Sequence, residues 1–315
     1  MRLKAVFPPF FPRALETASA RVLKSYKELK GGQIMSNIPV QKADRLPAAP
    51  ITHGRSAEIY DWGEGRVLKL YFKDFPESDV DLEYLNTCEA FRLGCTPMEC
   101  FGKVECDGRY GIILKKIPGI SMTKMPEKNP LILFKAGRII AEQHAMVQSK
   151  HTDALPDLRE KAAACLDGEA FAFLSAERKE KLRRYILSLP AGDSVIHLDF
   201  HTENILMNGK DVTVIDWMTA AKGVPQAEVA MMYFLHHHAE LFPGSSKAQL
   251  AFYTAVRTFI YKSFLKNYVK ITGMDPESAR PWYVVALTLR KGLWNIASEK
   301  EYLESGIERL TDEIK

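Results

Sequence analysis

The pattern of hydrophobic and polar positions divides the chain after residue 50 into two parts. From residue 51 to residue 114 the apolar runs are short and often alternate with polar residues, which is typical of strands. One longer stretch has apolar residues at helical spacing between Ser78, a suitable cap, and Gly94, so it predicts a helix over 79–93. Strands are predicted at 57–62, 66–72, 98–104 and 110–114.

After Pro118 and Gly119 the apolar residues recur at the spacing of one helix face over longer stretches. The sequence therefore predicts an α+β fold with two lobes: a small β-rich lobe at 51–114, a hinge at 115–119 and a larger helical lobe at 120–315. A cleft between two lobes is a common place for a ligand. Helices are predicted at 131–148, 176–187, 226–241, 247–271, 277–297 and 299–310.

The composition is that of an ordinary globular protein, with 46% hydrophobic and 26% charged residues. No apolar run approaches the roughly 20 residues that span a bilayer, which argues against a membrane protein. The five cysteines are odd in number and show no CxxC spacing. They indicate reduced thiols, and hence a cytoplasmic location.

The net charge of +4 is concentrated at the N-terminus. Residues 1–34 hold seven Lys or Arg and two Glu, so residues 35–315 sum to −1, and we predict no nucleic-acid partner. Residues 1–50 are predicted to be a leader and an irregular segment. The Lys-Gly-Gly at 30–32 back-translates to a sequence like a bacterial ribosome-binding site, so our hypothesis is that translation starts at Met35. A disordered or membrane-associated basic arm and an organellar transit peptide are the alternatives for residues 1–34.

The segment 195–217, VIHLDFHTENILMNGKDVTVIDW, carries the clearest chemistry in the chain. Asp199 and Asn204 lie five residues apart in a polar loop, and Asp216 follows a predicted hairpin with strands at 205–207 and 212–215. An amide oxygen and a carboxylate suit a hard cation such as Mg²⁺. Phosphoryl transfer needs a group that orients or deprotonates the attacking hydroxyl, and Asp199 is the candidate for this role. The hairpin is expected to bring Asp216 back beside Asn204.

This segment resembles the catalytic core of the aminoglycoside phosphotransferase and choline kinase-like family, small-molecule kinases related to protein kinases. The family pattern is His-Gly-Asp, two or three variable residues, Asn, a strand, and Ile-Asp-Trp or Ile-Asp-Phe. The resemblance extends over roughly residues 51–241. It implies a protein-kinase-like fold, ATP and Mg²⁺ as cofactors, Asp199 as the catalytic residue, and Asn204 and Asp216 as metal ligands. The residues that fall on the pattern are His197, Asp199, His201, Asn204 and Asp216.

The β-rich part is similar to the nucleotide-binding lobe of the same family. The resemblance implies that a short loop binds phosphates through the backbone N–H groups of Arg55, Ser56 and Ala57 and through the Ser56 hydroxyl.

Lys69 matches the family's strand lysine, which contacts the α- and β-phosphates, and Glu83 matches the helix glutamate that pairs with it. A lysine in an apolar strand needs such a partner, because a buried charge without one is costly. Glu89, on the same predicted helix, is the competing partner.

Three residues depart from the family pattern and leave the shape of the loop open. Leu198 replaces the usual glycine, and Met218 stands where many relatives have a polar or acidic residue. Glu228 stands where an aspartate often braces the loop. None of these changes removes the predicted base or a metal ligand.

The leading hypothesis is an ATP-dependent kinase acting on a hydroxyl of a small molecule: an aminoglycoside, an amino alcohol, a sugar or a related metabolite. A catalytically silent nucleotide-binding module is the alternative. A metallohydrolase using His197, Asp199 and His201 is a third hypothesis. The sequence names no acceptor. Acidic residues near the C-terminus would suit a cationic acceptor, although such runs are more often a solvated helix face; they are Glu299, Glu301, Glu304, Glu308, Asp312 and Glu313.

Overall fold

A six-stranded sheet forms the N-terminal part of the protein. The computed structural model describes residues 38–47, 49–241 and 244–314, so the predicted leader at 1–34 and the start at Met35 lie outside the described residues. The strand order is β1-β5-β6-β4-β3-β2, with β1 parallel to β5 and the other neighbours antiparallel. The strands are β1 (Val40–Lys42), β2 (Thr52–His53), β3 (Ala57–Gly63), β4 (Arg66–Tyr71), β5 (Cys100–Cys106) and β6 (Arg109–Lys115).

The two faces of this sheet have different partners. Leu68, Leu70 and Ile113 belong to a small hydrophobic cluster, whereas Tyr71 and Ile112 belong to the main core. Since neighbouring residues of a strand point to opposite faces, Lys69 lies on the same face as Tyr71. Helix α1 (Glu77–Arg92) packs against that face.

Helix α1 begins at Glu77, and its flanking residue Pro76 makes no side-chain cap, so the prediction of Ser78 as the cap is wrong. Acidic residues in the first turn, Glu77 and Asp79, interact favourably with the helix dipole instead. The end is as predicted, because Gly94 adopts a φ of +73° that an L-residue rarely takes.

The remainder of the described chain is mainly helical and carries two small sheets. β7 (Ile120–Ser121), β9 (Ile205–Asn208) and β10 (Asp211–Val214) form one sheet, and β8 (Ser194–Ile196) pairs with β11 (Ala221–Gly223) in the other. The helices are α2 (Met125–Lys128), α3 (Ile132–Gln148), α4 (Leu158–Cys165), α5 (Ala176–Ser188), α6 (Pro225–His237), α7 (Lys247–Thr272), α8 (Tyr283–Leu293) and α9 (Lys300–Glu313).

Several predicted elements need correction. The helix predicted at 277–297 is a 3₁₀ turn, Pro276–Trp282, followed by α8, because Pro281 lacks the N–H that an α-helix needs. Strand β1 lies in a segment predicted to be irregular; its side chains are all exposed, so it has no alternation to detect. Helix α4 and strands β2, β7, β8 and β11 were also missed, and these are short elements.

The fold is α+β and protein-kinase-like, with a β-rich N-terminal lobe and a larger helical C-terminal lobe, as predicted. The lobe boundaries at residues 114 and 120 stay a prediction. Among the described residues, no helix is both long and apolar enough to cross a membrane. The cytoplasmic location stays a prediction.

Candidate active site

Lys69, Glu83 and Asp216 meet between the sheet, α1 and the end of the β9–β10 hairpin. Lys69 Nζ lies 2.7 and 3.0 Å from the two carboxylate oxygens of Glu83 and 3.1 Å from Asp216 Oδ1. Tyr71 also donates its hydroxyl to Glu83. Glu89 instead contacts Arg92 and Thr152, so the structure gives Lys69 the partner predicted for it.

The charge of Lys69 is fixed by its two acidic neighbours. Burial alone would lower the pKa of the Lys69 ammonium, but the carboxylates of Asp216 and Glu83 raise it above its ordinary value. Lys69 is therefore cationic at every physiological pH. Its side chain is 11% exposed, whereas that of Asp216 is 37% exposed, so the group is reachable from the Asp216 side.

Asp199 lies in a loop (residues 197–204, the Asp199 loop) between β8 and β9. Its Oδ2 lies 3.3 Å from His201 Nε2 and accepts from the side-chain nitrogen Nδ2 of Asn204 at 3.2 Å. Its Oδ1 is buried and accepts no hydrogen bond from the described residues, although Arg290 Nη1 lies 4.0 Å away. Burial alone would raise the pKa of Asp199, but His201 and Arg290 lower it to about 2. Asp199 is therefore an anion, and one of its oxygens has no hydrogen-bond partner among the described residues.

The hairpin brings Asn204 and Asp216 together, as the sequence predicts. Residues 205–208 pair with 211–214, and Ile215 N–H donates to the Asn204 carbonyl at 3.0 Å. The Asn204 side chain donates to the carbonyl oxygen of Asp199 at 2.9 Å, and its own amide oxygen accepts no hydrogen bond within the described residues. One Asp216 oxygen is likewise left without a donor. An amide oxygen and a carboxylate oxygen that accept no hydrogen bond, on residues that this backbone contact brings close, fit a hard divalent cation.

The predicted phosphate-binding loop (residues 53–57, the Ser56 loop) joins β2 and β3. Gly54 N–H donates to the Ala57 carbonyl at 2.8 Å, and the Ser56 carbonyl accepts from Phe72 N–H at 2.9 Å, which closes a tight turn. The Arg55 side chain reaches the other lobe, where its Nη2 lies 2.8 Å from Glu240 Oε2. The loop thus contributes an ion pair across the two lobes, which the sequence did not indicate.

Leu198 and Glu228, which both differ from the family pattern, lie at the start of the Asp199 loop and in contact with it. Leu198 has a φ of +68°, a left-handed conformation that explains why glycine is usual there. The carboxylate of Glu228 accepts from the backbone N–H of His197 at 2.6 Å and of Leu198 at 2.9 Å. Glu228 therefore braces the loop, a role that the sequence left open.

His197 has a structural role within the Asp199 loop. Its Nε2 donates to the Ile215 carbonyl at 3.0 Å and its Nδ1 accepts from Asp199 N–H at 3.3 Å, while burial lowers the pKa of the ring. Both ring nitrogens are therefore engaged within the chain. In the part of the chain that the structure describes, no group of three or more His, Cys, Asp or Glu could hold a metal ion.

Asn86 and Arg290 are site residues that sequence reasoning missed. Asn86 lies one turn after Glu83 on α1 and donates to the carbonyls of Trp217, Met218 and Ala220 at 3.2, 3.0 and 3.3 Å. Arg290 lies on α8 and is 6% exposed. The sequence held only a weak signal for each residue. Asn86 is a polar residue at a position that helical spacing places on the buried face of α1, and Arg290 is an arginine within an otherwise apolar helix.

Most of the acidic residues near the C-terminus form ion pairs with nearby lysine or arginine side chains. Glu299 accepts from Arg290 Nε at 2.7 Å, and Glu304 lies 2.9 Å from Lys291. Most of their charge is therefore neutralised by neighbouring lysine and arginine side chains. The remaining pairs are Arg178 with Glu308 and Asp312, at 3.2 and 2.8 Å, and Arg309 with Glu313, at 2.8 Å.

Comparison with solved structures supports the fold assignment. Amicoumacin kinase hAmiN, in complex with AMP-PNP, Ca²⁺ and Ami, is 12% identical over 93% of this chain and 96% of that one, with a TM-score of 0.54. An aminoglycoside-3'-phosphotransferase of type VIII is 13% identical over 87% and 99% of the two chains, with a TM-score of 0.51.

Comparison by sequence identifies the family. No curated protein shows significant similarity to the chain. Residues 49–261, about two-thirds of the chain, match the APH family, described as the phosphotransferase enzyme family. This match confirms the resemblance drawn from the Asp199 loop and its flanking strands. The chain belongs to the APH phosphotransferase enzyme family.

Proposed function

We propose that the protein is an ATP-dependent, Mg²⁺-requiring phosphotransferase that moves the γ-phosphoryl group of ATP to a hydroxyl of a small molecule. The observation that carries this proposal is the meeting of Lys69, Glu83 and Asp216 beside a loop whose Asp199 is an anion with one oxygen lacking a hydrogen-bond partner in the described chain. Phosphoryl transfer needs this set: a fixed cation for the phosphates, ligands for a metal, and a carboxylate for the hydroxyl.

On the nucleotide side, Lys69 contacts phosphate oxygens and Glu83 holds its ammonium in place. The backbone N–H groups of Arg55, Ser56 and Ala57 face the phosphates. This arrangement is supported by the burial of the Lys69–Glu83 pair, whose side chains are 11% and 1% exposed. A lysine held this way presents its charge without a large loss of side-chain entropy on binding.

Asn204 and Asp216 would hold the metal through side-chain oxygens that accept no hydrogen bond in the described chain. When bound, Mg²⁺ neutralises charge on the phosphates. A metal held by two protein ligands together with phosphate oxygens and water needs no larger cluster of ligating side chains. The Lys69 ammonium beside Asp216 keeps that carboxylate oriented before the metal arrives.

On the acceptor side, the Asp199 carboxylate accepts the hydrogen bond of the hydroxyl and orients its oxygen toward the γ-phosphorus. Asp199 Oδ2 is already engaged by His201 and Asn204, so the carboxylate cannot rotate freely. Orientation of this kind accounts for much of the catalysis in such reactions.

No observation favours a metallohydrolase, because both ring nitrogens of His197 are engaged within the chain. A catalytically silent nucleotide-binding module would have the same fold. It is separated from a kinase by the experiment below.

The test measures ADP release with Mg-ATP across aminoglycosides, amino alcohols, sugars, sugar acids and nucleosides. We expect an acceptor-dependent signal whose kcat falls by about 100-fold or more in Asp199→Asn, because a neutral amide orients the hydroxyl less well and cannot take up its proton after bonding to phosphorus. Lys69→Met should weaken the signal as well. Asp211→Asn, an exposed aspartate on the same hairpin, is the matched control and should leave kcat unchanged.

A nucleotide titration on the same samples separates the remaining outcomes. Nucleotide binding without ADP release for any acceptor would support a silent module. Failure to bind nucleotide at all would contradict the proposed function.

A further inference from the structure

The most exposed large apolar side chains of the described residues cluster on two neighbouring helices, α3 and α7. Phe134, in the first turn of α3, is 69% exposed, Leu131, directly before that helix, is 65% exposed, and Phe252 on α7 is 61% exposed. Phe134 meets Phe259 of α7 edge to face, with ring centres 5.9 Å apart, and Phe259 is itself 46% exposed. Single exposed apolar residues are ordinary, but several on one surface mark an interaction site.

Helices α3 and α7 approach each other closely enough to share one outer surface. Gly137 of α3 lies against the backbone of α7, and a Cβ at this position would be only 2.5–2.6 Å from atoms of Ser263, Ile260 and Phe264. A glycine permits such a close approach because it has no side chain. Side chains that point outward from the two helices therefore lie on a continuous surface.

The C-terminal half of α7 adds positive charge to this surface. Lys262, Lys266 and Lys270 are exposed, and they follow Phe252 and Phe259 at spacings of three, four and seven residues, which is the repeat of one helix face. None of these lysines is in an ion pair within the described chain. We call the surface made by these five side chains and by two of α3 the α3–α7 face; its residues are Leu131, Phe134, Phe252, Phe259, Lys262, Lys266 and Lys270.

Neighbouring acidic residues do not offset the charge of the α3–α7 face. Helices α3 and α7 together contain seven Lys or Arg and one Glu, and that residue, Glu142, lies 3.5 Å from Arg138. In α2, which packs against α3, Glu127 is balanced by Lys128. Helix α6 also packs against α7, and its acidic residue Glu228 is buried and bound to the Asp199 loop. The face is therefore net positive.

Charge complementarity selects an anionic partner for the α3–α7 face. A symmetric interface with a second copy of this chain would bring the same lysines together. Residues 1–34 hold seven Lys or Arg and two Glu, so their charge does not complement the face either. A bilayer with anionic lipids offers negative headgroups to lysines, and apolar side chains insert about 5–10 Å into its headgroup and acyl boundary. It therefore suits both the charged and the apolar part of the face.

We propose that the α3–α7 face binds the surface of membranes that contain anionic lipids, with α7 lying along the plane of the bilayer. Phe134 and Phe252 insert between the headgroups, while Lys262, Lys266 and Lys270 contact lipid phosphates. Contact with one leaflet needs no membrane-spanning helix, which the described residues lack. The inference goes beyond the proposed function and does not rest on it, because none of these residues belongs to the proposed site.

Flotation of the full chain with lipid vesicles tests this proposal. Vesicles of phosphatidylcholine with about 30% phosphatidylserine should capture the protein at low salt, because anionic lipids attract basic residues near the membrane surface. Vesicles of phosphatidylcholine alone should capture little of it. Capture by the anionic vesicles should decrease as the salt concentration rises, since salt screens exposed charges.

The double variant Lys262→Gln/Lys266→Gln tests the basic part of the face. Its affinity for the anionic vesicles should fall by about tenfold or more, because each basic residue near such a surface strengthens binding several-fold. The control is Lys73→Gln/Lys300→Gln, which removes the same charge at exposed positions on other parts of the chain. This control should bind the vesicles as the wild type does.

The double variant Phe134→Ser/Phe252→Ser tests the apolar part of the face. It should bind the anionic vesicles several-fold more weakly and lose the capture that remains at high salt, because insertion of apolar side chains is not screened by salt. Its Tm should change little, since both side chains are exposed. Phe91→Ser/Leu187→Ser, at residues 40% and 44% exposed on other helices, is the control.

Equal capture by the two kinds of vesicle, capture by neither, or an equal loss in the control variants would overturn the inference. Sedimentation velocity without lipid examines the competing occupant. A dimer that dissociates in Phe134→Ser/Phe252→Ser would assign the face to a second copy of the chain and would also overturn the inference. A monomer in both the wild type and this variant is the expected result.

Discussion

At the scale of single residues, the Asp199 loop combines backbone strain with specific compensation. Leu198 and Asp216 have φ values of +68° and +67°, a region that costs an L-residue roughly 1–2 kcal/mol. The Leu198 side chain is fully buried, and its N–H is held by Glu228. Burial of a leucine stabilises by about the same amount as the strain costs. A glycine there would remove the strain and the buried contact together.

Glu228 makes the stability of the protein depend on pH in a window set by its pKa. Burial raises the pKa of Glu228 from 4.5 to about 7, against the opposing effect of the two backbone N–H groups. The folded protein thus retains a proton that the unfolded chain releases, so stability falls as pH rises from about 4.5 to 7. Relative to Glu228→Gln, the free energy of unfolding should fall by about 2 kcal/mol between pH 5 and pH 8.

Urea unfolding at several pH values measures this difference. Glu203→Gln, at an exposed position in the same loop, is the control and should follow the wild type at every pH. A wild-type-to-Glu228→Gln difference that stays constant from pH 5 to pH 8 would show that Glu228 does not titrate there.

At the scale of elements, helix α1 connects the two lobes. Near the start of α1, Glu77 and Asp81 form ion pairs with Lys103 on β5. Glu83, on the same helix, forms an ion pair with Lys69. One turn later, Asn86 binds the carbonyls of three residues that follow Asp216. The position of α1 therefore fixes the proposed metal ligand Asp216 relative to Lys69.

Asn86→Leu tests this coupling with a side chain of similar size. The three carbonyls would lose their donor, so the free energy of unfolding should fall by about 1–3 kcal/mol. Turnover should decrease as well, because Asp216 is no longer fixed. Asn267→Leu removes a bond within α7 at 2.7 Å and is the matched control. Urea unfolding and ADP release measure both effects, and unchanged turnover would separate α1 from the site.

Sequence reasoning found the residues whose partners are local or spaced by one supersecondary unit. Asp199, Asn204 and Asp216 come together because one hairpin separates them. Lys69 and Glu83 meet because a strand and the following helix face each other. These features follow from chain connectivity.

The residues that were missed depend on contacts between distant segments. Asn86 was hidden because a polar residue on a helix usually faces solvent, and its acceptors are more than 130 residues away. Arg290 lies 91 residues after Asp199 on another element, and its only local signal is an arginine within an apolar helix, which does not identify its partner. Strand β1 lacks an alternating pattern because all its side chains are exposed.

At the scale of the whole molecule, the pair between Arg55 and Glu240 links the Ser56 loop to the C-terminal lobe. Its side chains are 51% and 21% exposed, so its contribution to the free energy of unfolding should be under about 1 kcal/mol. Because the pair joins the proposed phosphate-binding loop to the C-terminal lobe, we expect a larger effect on nucleotide binding than on stability.

Arg55→Glu should raise KM for ATP several-fold with little change in Tm, because two like charges then hold the lobes apart. The double variant Arg55→Glu/Glu240→Arg should restore most of the loss. Lys116→Gln, at another exposed ion pair, 2.6 Å from Asp61, is the control. Steady-state kinetics and thermal unfolding measure both quantities, and a double variant no better than the single one would argue against the pairing.

The low pKa of Asp199, about 2, also determines when the acceptor loses its proton. A carboxylate about five units below neutral pH is a weak base, and an alcohol does not yield its proton to it early in the reaction. The proton should remain on the oxygen until bonding to phosphorus has made that oxygen acidic, which agrees with a loose transition state. We therefore expect kcat/KM to be almost the same in heavy and in light water.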